Sequence, residues 1–427
     1  MLLLIQGCDH VHHDDQEKGN VIFIHPDGYS LSAWHAYRVL HIGPDGNLAW
    51  DQLPYLSVYR AHVRNSLAPT SHAGGTIHAY GVKVGRNSFG LDEGASIQSA
   101  SGYSGSLMME AIESGIRCGI VNSGHLAEPG TAAMLARVKS RKNRTEVVSQ
   151  VLSSGAKVIL GGGEILFLPT GTVGRHGRPG IRDDNRNLIE EAIADGFTVV
   201  YTSEELAALP DDTDKVLGLF VAEDTYNTVS EEKLRSRGLP PYNEDAPDVG
   251  EMTREALRFL SYGDDQFFLM VEEEATDNFA NQNNASGLFE AYARADRAIA
   301  EGRSFIAERD DTLLITAADS NASGVQLIAL LGQGKDKLLK PDGTLMEAMA
   351  NGAPVDGVDG TGTQPFQSAP DAAGQTFSFA VAWPTSRDLP GGVLARAEGF
   401  NGDLLPPNLD NTGIYRILYQ TLFGREP

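Results

Sequence analysis

Seven short apolar runs recur along this chain: VIFIH at 21–25, CGIVN at 118–122, KVIL at 157–160, TVVY at 198–201, VLGLFV at 216–221, FFLMV at 267–271 and TLLIT at Thr312–Thr316. Each is apolar at successive rather than alternate positions, the pattern of a strand covered on both faces. Between them, segments 106–116, 145–152, Val249–Leu260 and 286–307 carry apolar residues three or four apart and read as the covering helices. The alternation predicts an α/β fold, a mainly parallel central sheet with helices on both faces. A chain of 427 residues is long enough for one such domain to bury a large core.

The apolar rhythm breaks at 331–375, a stretch rich in Gly, Pro, Asp and Thr that reads as an irregular insertion rather than more sheet. A second irregular stretch, 168–184, is rich in Gly and Arg. Residues 377–383 read as a returning strand and 411–423 as an amphipathic closing helix. The domain is taken as 20–427, with 1–19 as a signal remnant or linker. MLLLIQGC at the start is similar to the end of a lipoprotein signal, which implies export to the periplasm or cell surface and a lipid anchor through Cys8. Cys118 is the second of only two cysteines, so neither a disulfide framework nor a cysteine-built zinc site is expected. Acidic residues number 57 against 34 basic, a formal charge of -23, which disfavours nucleic acid and anionic membrane as partners.

In open α/β sheets ligands bind beyond the carboxyl ends of the strands. Three runs end in carboxylates: 21–25 leads to Asp27, 267–271 to Glu272 and Asp277, and Thr312–Thr316 to Asp319. Gathered on one rim, these acids repel one another unless a divalent cation neutralises them; the alternative is that each merely caps a turn or ends a strand in solvent. Segment 68–84, APTSHAGGTIHAYGVKV, places Ser71 at the start of a small-residue helix, where a nucleophile or an ordinary N-cap are both at home. Arg141, in GTAAMLARVKSRK, can fork two hydrogen bonds to phosphate or simply close a helix C-terminus.

In this order the segments resemble the alkaline phosphatase family, from residue 20 to about 424. NVIFIHPDGYS is similar to its first strand and metal-binding Asp-Gly turn, SHAGGTIHAYGVK to its nucleophile helix, and TAAMLARVKSRKNR to the helix whose arginine grips phosphate. KVILGGG, FFLMVE, LLITAAD and DNTGIYRIL match further family segments. The resemblance implies that Asp27 bridges two metals, that Ser71 is the nucleophile and Arg141 the phosphate ligand, and that zinc and magnesium are the cofactors. It implies hydrolysis of small phosphate monoesters through a phosphoserine, and a homodimer.

The departures are as informative. Thr70 stands where the family has an aspartate before its serine, and the family's magnesium-binding threonine falls at Gly130, with Thr131 one place late and Glu128 two places early. Three C-terminal histidine ligands are missing, since all eleven histidines lie at or before His176. Asn281 and Ser320 occupy two of those positions, and 372–375 offers no histidine for the third. The remaining donors, Asp27, Glu272, Asp277, Asn281 and Asp319, are all oxygen, a set that suits magnesium, calcium or manganese better than zinc. His25 and His72 could return a nitrogen, though strand alternation could turn His25 away. Two alternatives to phosphomonoester hydrolysis follow: a catalytically weakened relative that binds phosphate, metal or a partner, and an esterase for diesters or sulfate esters.

Overall fold

Each of the seven apolar runs forms a strand in the computed structural model, which describes residues 17–263, 265–332 and 335–427. The runs pair side by side and parallel in the order Thr312–Thr316, Asn20–Pro26, Phe267–Glu273, Arg117–His125, Val158–Gly162, Val216–Leu219 and Thr198–Val200. Three more strands continue the sheet past Thr312–Thr316: Leu394–Gly399, Tyr55–Arg60 and Asn408–Asp410. Of the ten, only Leu394–Gly399 runs against its neighbours. Sequence pattern missed these three because they lie toward an edge and are half covered; of YLSVYR, only Ser57 and Tyr59 are buried.

Val249–Leu260 packs with the long helix Ala285–Ile306 on one face of the sheet, and Ser71–Tyr80, Leu107–Glu113 and Thr412–Phe423 form the other layer. Asp248 begins Val249–Leu260 with a capping box, its side chain accepting from the Glu251 N–H while the Glu251 carboxylate accepts from the Asp248 N–H.

Residues 331–375 do carry short strands. Val355–Gly357, Gly360–Thr361 and Phe366–Gln367 join Gln326–Ala329 and Ser378–Ala382 in a second, five-stranded sheet. The strand expected at 377–383 therefore serves this small sheet and not the central one. Leu345, Val355 and Ala380 form its own core, and the Trp383 indole N–H donates to the buried Asp356 carboxylate at 2.6 Å. Cys118 is buried and free. The lipid-anchor position Cys8 lies outside the described residues, and among those described no helix is long and apolar enough to cross a membrane.

Candidate active site

Register brings the strand ends level. Glu272 pairs with His25 on one side and with Asn122 on the other, so three adjacent strands deliver an imidazole, a carboxylate and an amide at one height. Asn122 Nδ2 donates to Glu272 Oε2 at 2.5 Å and to Thr131 Oγ1 at 2.8 Å, and the Thr131 N–H donates to the same Glu272 oxygen at 2.9 Å. His25 Nδ1 lies 3.4 Å from Glu272 Oε1. Asp27 follows two residues after His25, in the turn just past the end of the strand. Its backbone is tied to the neighbouring strand end: the Asp27 N–H donates to Glu273 O at 3.0 Å, and Thr276 Oγ1 donates to Asp27 O at 2.6 Å. His25, Asp27 and Glu272 are all buried and spaced so that one atom from each could reach a single cation.

The helix Ala275–Asn281 starts just beyond the Glu272 strand and brings Asp277 to the rim. One turn later Asn281 Nδ2 donates to Asp277 Oδ2 at 2.9 Å and to Asp388 Oδ1 at 3.1 Å. Asp388 belongs to a two-residue strand, Asp388–Leu389, paired with Asn321–Ala322 directly after Asp319 and Ser320. Asp319 is 1% exposed and faces Asp27, Asp277 and Asp388.

Ser71 is the first helical residue after the cap Thr70, whose hydroxyl accepts from the Ala73 N–H at 3.4 Å. Gly74, three residues on and on the same helix face, sits so close that an added Cβ would lie 2.2 Å from Asp319 Cβ. The small residue lets the helix press its serine-bearing face onto the acids. Gly130 is tighter still, for a Cβ there would be 1.6 Å from Glu272 Oε1. A threonine at 130 cannot coexist with this glutamate conformation, and the Thr131 hydroxyl is engaged by Asn122 instead.

Arg141 sits in a turn before the helix Arg144–Leu152 and does not close a helix C-terminus. Its Nη2 lies 3.1 Å from Glu128 Oε2, while Glu128 Oε1 is 3.1 Å from His125 Nε2. His125, Glu128 and Asp224 make a second group spaced for a cation.

The electrostatics are dominated by crowded acid. Burial first, then Asp319, Glu274 and Asp277, push the Asp27 carboxyl well above the usual range. Burial and then Asp388 and Asp319 do the same to Asp277, and burial with Glu128, Glu272 and Asp277 to Glu274. Burial works against the Arg141 charge, yet Glu128, Glu274, Asp27 and Asp277 hold its pKa above the ordinary value. Burial, aided by the Arg141 charge, brings His72 down to about 4, so it is neutral at pH 7. Both oxygens of Asp27 and of Asp319, Asp277 Oδ1, Glu272 Oε1, Glu274 Oε2 and both nitrogens of His25 are buried without a hydrogen-bond partner among the described residues. Unpaired buried carboxylate oxygens cost several kcal/mol each unless protonated or bound to a cation, so the donor set fits a divalent metal.

Comparison with known proteins decides the family. The sequence profile of the alkaline phosphatase family matches residues 18–341. This chain belongs to the alkaline phosphatase family. It is 26% identical to the membrane-bound alkaline phosphatase of Bombyx mori over 415 residues, covering 87% of this chain and 72% of that protein. With the alkaline phosphatase of Escherichia coli it shares 24% over 392 residues, 82% of this chain and 80% of the other. Among solved structures, the alkaline phosphatase of the Antarctic bacterium TAB5 superposes with a TM-score of 0.70 at 18% identity, over 95% of this chain and 98% of that one. The Thermus thermophilus alkaline phosphatase gives 0.72 at 20%, over 96% and 93%. These structural likenesses establish the fold.

The structure thus brings together Asp27, Glu272, Asp277, Asn281 and Asp319, with Ser71 on the helix face that meets Asp319 and Arg141 on the Glu128 side. His25, weighed above as a replacement nitrogen that strand alternation could turn away, faces Glu272, its partner in register. Residues that sequence reading overlooked join it. Asp388 was missed because a histidine was sought ahead of the Ser378–Ala382 strand, whereas the contributing residue comes six positions after its end. Asn122 closes the apolar run at 118–122 and Glu274 follows the strand Phe267–Glu273, like the residues that were singled out; that position was the available signal.

Proposed function

We propose that the protein hydrolyses phosphate monoesters through a phosphoserine at Ser71. The observation that carries this reading is the meeting of unpartnered buried carboxylates from separate elements with the opening turn of a helix that begins at Ser71. Family membership supports the reaction class. Ser71 Oγ gives up its proton to solvent and attacks phosphorus in line, the P–O bond to the alcohol breaks, and the alcohol leaves as its alkoxide, which takes a proton from solvent in turn. Arg141, held on one side by Glu128, offers the rest of its fork to the non-bridging oxygens, alongside N–H groups of the first helical turn. Neutral His72 adds no cation that would hold phosphate after hydrolysis. Asp27, Glu272, Asp277, Asn281 and Asp319, with His25, would hold divalent cations, which supply Lewis-acid stabilisation of the serine and alkoxide oxygens. Water then attacks the phosphoserine, releasing inorganic phosphate and restoring Ser71.

A second reading, a weakened relative that binds phosphate or cation without efficient turnover, is favoured by one specific observation: among the described residues no imidazole forms a metal-spaced group with Asp277 or Asp388. Assaying p-nitrophenyl phosphate with each divalent cation separates the two. The proposal expects cation-dependent release of p-nitrophenol that disappears in Ser71→Ala; a folded protein inert with every cation, yet binding phosphate by calorimetry, supports the second reading. Parallel assays with a phosphodiester and a sulfate ester test the monoester preference. Export, anchoring through Cys8 and a homodimer remain part of the proposal, and fractionation of cells and sedimentation of the purified protein test them.

A further inference from the structure

The outer side of the site, around Asp277, is built differently from its inner side, and the difference lies in two residues. Asp277 comes from the helix Ala275–Asn281, Asn281 from the last turn of that helix, and Asp388 from the far end of the small-sheet region. Their side chains nonetheless meet at 2.9 and 3.1 Å through the Asn281 amide. The amide oxygen, Oδ1, accepts from Ser323 Oγ at 3.2 Å, which fixes the plane of the group. Turned over, the same amide presents oxygen to the two acids' side and so offers either a shared donor or a further cation ligand.

Three features set this group apart from an ordinary acidic patch. Asp277 is 8% exposed with Oδ1 unpartnered, and Asp319 beside it is 1% exposed with both oxygens unpartnered. No lysine or arginine forms an ion pair with Asp277, Asp319 or Asp388 among the described residues. Among the described residues no histidine completes a metal-spaced group with them, His72 reaching Asp319 only through its field, and none exists in the chain beyond His176. Carboxylate oxygens gather here around the Asn281 amide N–H, and with that amide turned over every donor offered would be an oxygen, the chemistry of hard cations.

We propose that Asp277, Asn281, Asp388 and Asp319 form a site for a hard, oxygen-seeking divalent cation, and that residues 281 and 388 set its preference against zinc. The inference rests on the cation-assisted site proposed above and deepens it by assigning metal selectivity to two residues of this chain. Asp388 supplies negative charge where a neutral ring would give a softer nitrogen. Asn281 supplies a neutral oxygen on the helix turn above Asp277.

The test is calorimetric titration of the full chain, stripped with a chelator, with calcium, magnesium and zinc chlorides in the absence of any ester. Asp388→Asn and the double variant Asn281→His with Asp388→His are compared with the unaltered chain, and each is first checked for a cooperative melt. The expected result is a calcium or magnesium site that loses about 10-fold or more in affinity in Asp388→Asn. The double variant is expected to gain about 100-fold for zinc and to weaken toward calcium and magnesium. Should the double variant not fold, Asn281→His alone, at a half-buried position, is expected to move zinc affinity in the same direction. Cation affinities unchanged in Asp388→Asn, or zinc affinity unmoved by the introduced imidazoles, would overturn the inference. Binding is read without turnover, so an inert protein that takes up calcium through Asp388 rejects the phosphatase reading alone, whereas an active one whose affinities ignore residues 281 and 388 rejects only this inference.

Discussion

The inner and outer sides of this site contrast in how they are made. On the inner side, His25, Asp27 and Glu272 are set by neighbouring parallel strands in fixed register, with Asn122 and Thr131 bonded to Glu272 to hold its carboxylate. On the outer side, Asp277, Asn281 and Asp388 come from a short helix and a two-residue strand, bridged by one amide. A sheet edge imposes its geometry through the backbone ladder, so the inner residues have little freedom. The outer side depends on chain segments more than a hundred residues apart, and on the proposal above it is there that oxygen donors stand where the family resemblance implied nitrogen, while the fold persists. The lesson is that a family's scaffold and its metal chemistry are specified by different parts of the structure.

Asp319 stands between the two sides, so its loss should have the largest effect. Asp319→Asn is expected to lower p-nitrophenyl phosphate turnover by about a thousand-fold or more and to abolish the cation-induced rise in melting temperature. The same variant in chelator should melt about 2 °C or more above the unaltered protein, because one like charge leaves a buried cluster. Scanning calorimetry with and without cation reads both signs; equal melting behaviour of the two proteins would mean that the acids do not share one cationic centre.

His25→Gln separates the sides. It should cut zinc or manganese affinity by about 10-fold to 100-fold on the inner side while leaving the outer calcium or magnesium affinity within about 2-fold, as read by calorimetry. A fall in both affinities together would merge the two sides into one coupled site.

Gly130→Thr places the family's usual residue type into this chain, and should damage it. With Glu272 Oε1 1.6 Å from the position of the new Cβ, the glutamate must leave Asn122 and Thr131. About 1–3 kcal/mol of stability is the expected loss, seen as a lower urea midpoint at unchanged slope. A neutral or stabilising outcome would show that Glu272 is held less rigidly than the strand register implies.

The smallest expected effect on the site itself lies away from both sides and serves as their control. Burial, with Asp356 of the small sheet next in weight, pushes the carboxyl of Glu231, the first residue of the helix Glu231–Arg237, up to about 8 from 4.5. Below pH 4.5 it is protonated folded and unfolded alike; as pH rises toward 8 the unfolded chain gives up its proton first, so stability falls across that window and levels off above it. Glu231→Gln should flatten this contribution, by at most about 1.4 kcal/mol per pH unit, without altering cation affinity. Urea titrations at pH 5, about 6.5 and 8 check the slope, and a changed cation affinity would couple the small sheet to the site.

Much of this was legible in the chain. Seven apolar runs became seven parallel strands because burial on both faces leaves a continuous signal, and the acids following three of them could be placed on one rim from the rule for strand ends. Val249–Leu260 was legible to the residue from its apolar spacing alone, and the Asp248–Glu251 capping box fixes the same start in the structure. The edge strands were not, since half-covered strands such as YLSVYR mix polar and apolar positions. Asp388 was not, because only the pairing of Asp388–Leu389 with Asn321–Ala322 carries it to Asp277. His25 was weighed as a nitrogen donor, but its direction came only with the register that pairs it with Glu272.

The central claim is that Ser71 attacks phosphorus beside a cation held by these acids. It is tested most directly by quenching the cation-loaded protein in acid during turnover of a phosphate monoester and mapping covalent phosphate by mass spectrometry. The account predicts a single phosphorylated peptide bearing Ser71, present with cation, absent after chelation and absent in Ser71→Ala. Sustained hydrolysis with no phosphate on Ser71, undiminished in Ser71→Ala, would contradict it.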